Sequence, residues 1–213
     1  MKFCALLLSF LLALPACAAT RLAPQSSAPI DTISFRVDVD DESADGMIAA
    51  LEVAKTKRPA GVLVLIDSTG GSVAAGWRII RAIEEAKAVT PVHCLVDGEA
   101  DSMAFFILQA CTTRGMTSVS KLLSHQPYFR MGPGVMRITD LQSLLNDLQT
   151  MLDQAEILAS TRMGMPLAEY HERNQADWWM SSISARRFNA VDYVVSSVAA
   201  VRESLQLTGT LPK

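Results

Sequence analysis

Residues 61–72 read GVLVLIDSTGGS and residues 92–104 read VHCLVDGEADSMA. In each, a continuous apolar run (Gly61–Ile66, Val92–Val96) marks a strand buried on both faces. A polar turn containing glycine follows, and a helical pattern then begins, Ser72–Lys87 after the first and Ser102–Ala110 after the second. Two strand–turn–helix units in succession predict an α/β fold with much parallel pairing. In the first turn Gly70 and Gly71 admit backbone angles closed to other residues. The N–H groups there either stabilise negative charge at the helix N-terminus or belong to an ordinary glycine-rich turn. No Gly-Lys-Ser/Thr ending follows, so a phosphate-binding P-loop is disfavoured. In the second turn Ser102 is either a helix N-cap or a nucleophile with the Met103 N–H beside it as an oxyanion donor.

Outward from these units the alternation continues. Ile33–Val39 reads as a half-buried strand, Asp45–Thr56 as a helix and Thr117–Ser124 as a strand. A polar loop, Gln126–Gly134, leads to the longest periodic stretch, Thr139–Met163. A helix from Leu167, a bend at Trp178–Ser182, a helix from Ile183 and a strand at Asp192–Ser197 complete the pattern.

The N-terminus has a different character. Lys2, the apolar run of residues 4–14 and the small residues after Pro15 have the layout of a secretory signal peptide over residues 1–19. The run is shorter than the ~20 residues a membrane span needs, so export, to the periplasm, is the reading. A lipoprotein signal cut before Cys17, giving a lipid anchor there, is the alternative. Residues 20–31 read as a flexible lead-in and 32–213 as one domain, a length that can bury a sizeable core.

The chain of 213 residues is 50% hydrophobic with a net charge of −3. Disorder is excluded, and no basic surplus exists to grip nucleic acid. The four cysteines form no CxxC pair, which disfavours a zinc ribbon. Removing Cys4 and Cys17 with the leader leaves Cys94 and Cys111, as one disulfide or as two buried thiols.

Of the three histidines, His93 lies inside a buried strand and reads as a core residue. His171 lies in a polar helical stretch and reads as solvated. His125 stands where a strand gives way to a loop, the usual address of catalytic side chains.

Ile66-Asp67-Ser68-Thr69-Gly70-Gly71-Ser72, Gly98-Glu99-Ala100-Asp101-Ser102-Met103-Ala104 and His125-Gln126-Pro127 together resemble the three landmark motifs of the ClpP proteolytic subunit. That family lies within the ClpP/crotonase superfamily, and the resemblance runs from about Ile33 to Ser197. It implies an α/β fold of repeated ββα units with a long protruding handle helix, here residues 139–163. It implies Ser102 as nucleophile, His125 as general base and the N–H groups of Gly71 and Met103 as oxyanion hole, on a turn supported by Gly70 and Ser72. The segment Gly164–Ser182 matches so as to place the third triad member at Asp177, for which a surface acid or N-cap is the rival role. The implied activity is a serine endopeptidase without metal or cofactor, acting on peptides or unfolded chains and assembling as a homo-oligomer, with a ring as the family form. ATP dependence is not carried over to an exported chain.

The order Ser…His…Asp separates this pattern from chymotrypsin-like enzymes and from α/β-hydrolases. A Ser–Lys dyad would draw on Lys121. Thr69 stands where the family usually has proline, Asp101 where it has a small residue, and Trp178 and Trp179 are bulky beside Asp177. These departures keep a catalytically inactive binding or assembly module as the alternative. A crotonase-type acyl-CoA enzyme is disfavoured, since His125 with Asp177 suits hydrolysis better. Cys94 and Cys111 flank the Ser102 turn, where a bridge would clamp strand to helix.

Overall fold

The computed structural model describes residues 30–128, 135–208 and 211. The expected leader and the cleavage and lipidation positions lie outside the described residues. The elements are β1 (Ile30–Phe35), α1 (Asp41–Lys57), β2 (Gly61–Ser68), α2 (Val73–Lys87), β3 (Val92–Asp101), α3 (Met103–Ala110) and β4 (Thr113–Thr117). There follow β5 (Lys121–Ser124), α4 (Ile138–Met163), α5 (Leu167–Asn174), β6 (Trp178–Ser181), α6 (Ser182–Arg187), β7 (Tyr193–Val195) and α7 (Val198–Thr208).

The two apolar runs lie next to each other in the middle of the sheet. Strands β1, β2, β3, β4 and β7 pair in that order, all parallel. Helices cover both faces, which is why these strands carry apolar residues on successive positions rather than alternating ones. On one face Val62, Val64, Ile66, Cys94 and Val96 pack with the apolar sides of α1, α2 and α3. On the other, Leu63, Leu65, Leu95 and Tyr193 pack with Val201 of α7. Among the described residues no helix is long and apolar enough to cross a membrane.

Strand β3 runs further than its apolar run suggests. Asp97, Gly98 and Glu99 read as a loop, yet the strand continues to Asp101 through an irregularity in its register with β2, from Ile66↔Val96 to Ser68↔Ala100. The Asp67 side chain fills the bulge: its Oδ1 accepts from Glu99 N–H at 3.1 Å and lies where a Cβ on residue 98 would stand. Only glycine fits at 98. Beyond the bulge β3 changes partner, leaving β4 after Val96 and pairing with β5 at Glu99–Asp101.

That change of partner explains two departures from the sequence reading. The single strand expected at 117–124 is two, broken by a turn at Ser118–Ser120 in which Ser120 Oγ donates to the Val96 carbonyl at 3.0 Å. The bend expected at Trp178–Ser182 is β6, an antiparallel partner of β5 in the register Ser124↔Trp178. The first strand ends at Phe35, and Val39 makes only an isolated bridge to Gly71. Helix α7, which the sequence pattern did not reveal, completes the second face.

Helix α4 spans 26 residues, about 39 Å at 1.5 Å per residue. Its buried positions, from Leu152 to Met163, all fall in the C-terminal half. The other half extends beyond the core with Ile138 and Leu145 exposed.

Cys94 on β3 and Cys111 at the end of α3 form a disulfide, with Cα atoms 5.9 Å apart and both residues fully buried. The bridge closes a loop centred on Ser102, a constraint on the unfolded chain worth about 3 kcal/mol. Replacing both cysteines by alanine is expected to lower the thermal midpoint by roughly 6–12 °C for a chain of this size. A calorimetric shift of under 2 °C would show that the bridge contributes little.

Candidate active site

Ser102 sits at the junction of β3 and α3. Its φ is 54° and its ψ −121°, a conformation L-residues rarely adopt, which costs of order 1–3 kcal/mol. Ser102 makes no side-chain capping bond; Ser72, by contrast, caps α2 by accepting from Ala75 N–H. Capping therefore does not account for Ser102. Its N–H donates to the Leu123 carbonyl at 2.8 Å, so β5 holds the turn in place.

The two glycine turns meet here. A Cβ on Gly70 would lie 2.8 Å from Met103 N and 2.5 Å from the Asp101 carbonyl oxygen, so the backbones touch where a side chain would intrude. Gly71 has φ 144°, and a Cβ there would strike the Val39 carbonyl at 2.3 Å. Val39 donates to the Gly70 carbonyl and accepts from Ser72 N–H, both at 2.7 Å. Those two bonds use the groups on either side of Gly71 and, by the alternation of an extended chain, turn its own N–H the other way. The Met103 N–H, at the start of α3, is one of the donors a helix leaves unpaired.

Ser102 and His125 line one cavity of about 30 Å³, room for a water rather than a side chain. Its remaining walls are mostly apolar, among them Trp77 of α2, Phe106 of α3 and Leu148, Met151 and Leu152 of α4. The indole Nε1 of Trp77 is buried without a hydrogen-bond partner. The sequence pattern gave Trp77 no role.

Asp177, the third expected member, is bonded to Tyr128. His125 is buried and its Nδ1 contacts the carbonyl of Gln126. Asp177 accepts instead from the Tyr128 hydroxyl at 3.0 Å, and the Tyr128 ring stacks on His125 with centroids 4.7 Å apart. Tyr128 therefore bridges His125 and Asp177. The sequence reading had given it no role.

Asp101, the departure beside Ser102, is buried and directed at Lys121 of β5, with Oδ2 3.7 Å from Nζ. Burial pushes its carboxyl up to about 6, against the pull of Lys121 and helped by Glu99. Lys121 also pairs with Glu99 at 2.6 Å and lies over the Trp179 ring. It is thus engaged on the outside of the sheet, which gives a Ser–Lys dyad no support. His93 is half-buried with Nδ1 on Thr113 Oγ1 at 2.7 Å, as a core histidine should be. His171, expected to be solvated, is half-exposed and bonds the buried Glu156 at 2.8 Å.

The sequence model of a family described as Clp protease matches residues 29–198. The ATP-dependent Clp protease proteolytic subunit 1 of Gloeobacter violaceus is 30% identical over 161 residues, which cover 74% of this chain and 79% of that protein.

The Asp101 carboxyl yields a pH signature. A folded-state value raised from 3.8 to about 6 means that the native chain holds this proton more tightly than the unfolded chain does. The associated stability is present below 3.8 and is lost as pH rises toward 6. Asp101→Asn removes that loss, so its melting temperature should exceed wild type at pH 7.5 and approach it at pH 4. Thermal melts that shift equally at both pH values would contradict this account.

Proposed function

The chain belongs to the Clp protease family, and from that premise we propose that it is a serine endopeptidase in which Ser102, His125 and Asp177 hydrolyse peptide bonds. Serine-peptidase chemistry in general follows from the family; the residue roles are our reading. The observation that carries it is Ser102 itself: a hydroxyl free of capping duty, on a backbone of positive φ at a helix N-terminus, in one cavity with a histidine. Such strain persists only where the surroundings impose it and is concentrated at functional sites.

In this reading Ser102 Oγ attacks the substrate carbonyl and His125 takes its proton. The N–H groups of Gly71 and Met103 bind the oxyanion. The leaving amine then receives the proton from the imidazolium, and water repeats the sequence on the acyl-enzyme. Asp177 fixes the imidazole tautomer once it turns from Tyr128 to His125. The apolar cavity wall favours a substrate with an apolar side chain next to the scissile bond, admitted by movement of α4, whose outer half is free of the core.

The wider assignment follows the same premise. The disulfide is at home in an oxidising compartment, in keeping with export to the periplasm and with residues 1–19 as the leader. The relative from Gloeobacter violaceus is named ATP-dependent; an exported chain would act without ATP, on peptides or unfolded proteins. The exposed apolar residues of the α4 outer half suit assembly into a homo-oligomer.

A fluorophosphonate probe tests the assignment directly. The mature protein should label, Ser102→Ala should abolish labelling, and Asp177→Asn should lower kcat roughly 10³–10⁴-fold. Labelling that survives Ser102→Ala removes the nucleophile. A wild-type protein inert in every assembly state favours the inactive binding module. Tyr128→Phe keeps the ring and frees Asp177, so it should raise kcat about 2- to 10-fold, the worth of one hydrogen bond. A fall in kcat would assign Tyr128 a productive role between acid and base.

A further inference from the structure

Four buried polar side chains stand behind the catalytic strand end. Ser124 and Tyr170 and Asn174 of α5 are fully buried, and Glu156 of α4 is 2% exposed. Ser124 Oγ lies 2.6 Å from Tyr170 Oη and 2.7 Å from Asn174 Oδ1. Asn174 Nδ2 donates to Glu156 Oε1 at 2.9 Å, and Glu156 Oε2 meets His171 Nδ1 at 2.8 Å. Gln175 Nε2 meets His171 Nε2 at 3.1 Å.

The chemistry of each group orients this chain in one direction. A carboxylate only accepts, so Glu156 turns the amide nitrogen of Asn174 toward itself. The amide oxygen then faces Ser124, whose single proton must go to it. Tyr170 is left to donate to Ser124 Oγ, and burial, which raises the phenol far above its ordinary range, keeps that proton in place. His171 donates to the Glu156 carboxylate through Nδ1. From Tyr170 through Ser124 and Asn174 to Glu156 each hydrogen bond therefore runs in one direction.

What it fastens is the segment that matters most to the site. Ser124 lies between Leu123, whose carbonyl accepts from the Ser102 N–H, and His125. It also faces Trp178 across the β5–β6 ladder, one residue from Asp177, and Trp178 packs edge-on against Tyr170. Burying polar groups is costly, and a fully paired network repays that cost in uniqueness of conformation.

We propose that Ser124, Tyr170, Asn174 and Glu156 are positioning residues for the triad: a one-way hydrogen-bond chain, anchored on the Glu156 carboxylate, that fixes the backbone joining Ser102's support to His125. This rests on the serine-peptidase reading. It adds that α4 and α5, which carry none of the triad, set the reactivity of the site through Ser124.

The test uses the full mature chain in its native assembly with Ser124→Ala, Ser124→Thr and Tyr170→Phe. Ser124→Ala should slow peptide turnover and fluorophosphonate labelling of Ser102 about 10- to 100-fold, the scale of a misplaced catalytic group. KM should change less than about 2-fold, since no network member lines the cavity. Ser124→Thr, which keeps the hydroxyl, should recover most of the rate, and Tyr170→Phe should fall between. Should Ser124→Ala prove too unstable, Tyr170→Phe carries the same comparison. Labelling at the wild-type rate in Ser124→Ala, or in Tyr170→Phe if that variant is the one measured, overturns the proposal. So does a loss that Ser124→Thr does not relieve. If the wild type itself does not label, the peptidase reading fails and positioning is read from the ring carbon–proton NMR signal of His125. That signal should move in Ser124→Ala and not in Ser124→Thr; an unmoved signal in Ser124→Ala again overturns the proposal.

Discussion

The hydrogen bond from Ser102 N–H to the Leu123 carbonyl joins two parts of the chain that the primary sequence keeps separate. It forms because β3 outruns β4, passes the bulge at Asp67 and Gly98, and takes β5 as a new partner. Without that exchange the serine turn would have no neighbour on its open side, and His125 would have no fixed relation to it. The sheet core, the disulfide and the Gly70–Met103 contact all hold β3 from one side, and β5 holds it from the other. The unusual backbone angles of Ser102 are thus imposed by both sides.

Much of this was legible in residue order. The apolar runs Gly61–Ile66 and Val92–Val96 announce central parallel strands, and the glycine pair at 70–71 and Ser102–Met103 announce turns with exposed N–H groups. His125 stood out because only one of three histidines fell at a strand end. The bulge was not legible: Asp97-Gly98-Glu99 has the composition of a loop, and only the approach of Asp67 from another strand makes it strand. β6 was missed because Trp178-Trp179-Met180-Ser181 is too short to show alternation and pairs with a strand of equal brevity.

The polar interior was the least visible part. Glu156 occupies the buried face of α4 between Ala155 and Ala159, and a carboxylate at an apolar helical position is a signal in itself. Tyr170 with Asn174 on α5, and His171 with the C-cap Gln175, are spaced four apart, as helical neighbours must be. What the sequence could not say is that these two helix faces meet behind Ser124. Tyr128 was silent for a different reason, since a tyrosine in a loop carries no pattern and its hydrogen bond to Asp177 spans 49 residues.

The β5–β6 ladder has a further consequence. Because Ser124 faces Trp178, continuing the same antiparallel register by one pair would set His125 opposite Asp177. His125 and Asp177 are therefore measured against each other by a ladder of four residue pairs and not by the chain that connects them. Between these two residues lie α5 and the inner half of α4, which brace Ser124, and the outer half of α4, which projects from the core. Its length can drift without disturbing that spacing, whereas slipping the ladder by one residue would turn Asp177 to the other face of the sheet. A fold wired this way can lengthen, shorten or reshape the projecting helix, and with it the company the protein keeps, while the distance between histidine and aspartate stays under separate control.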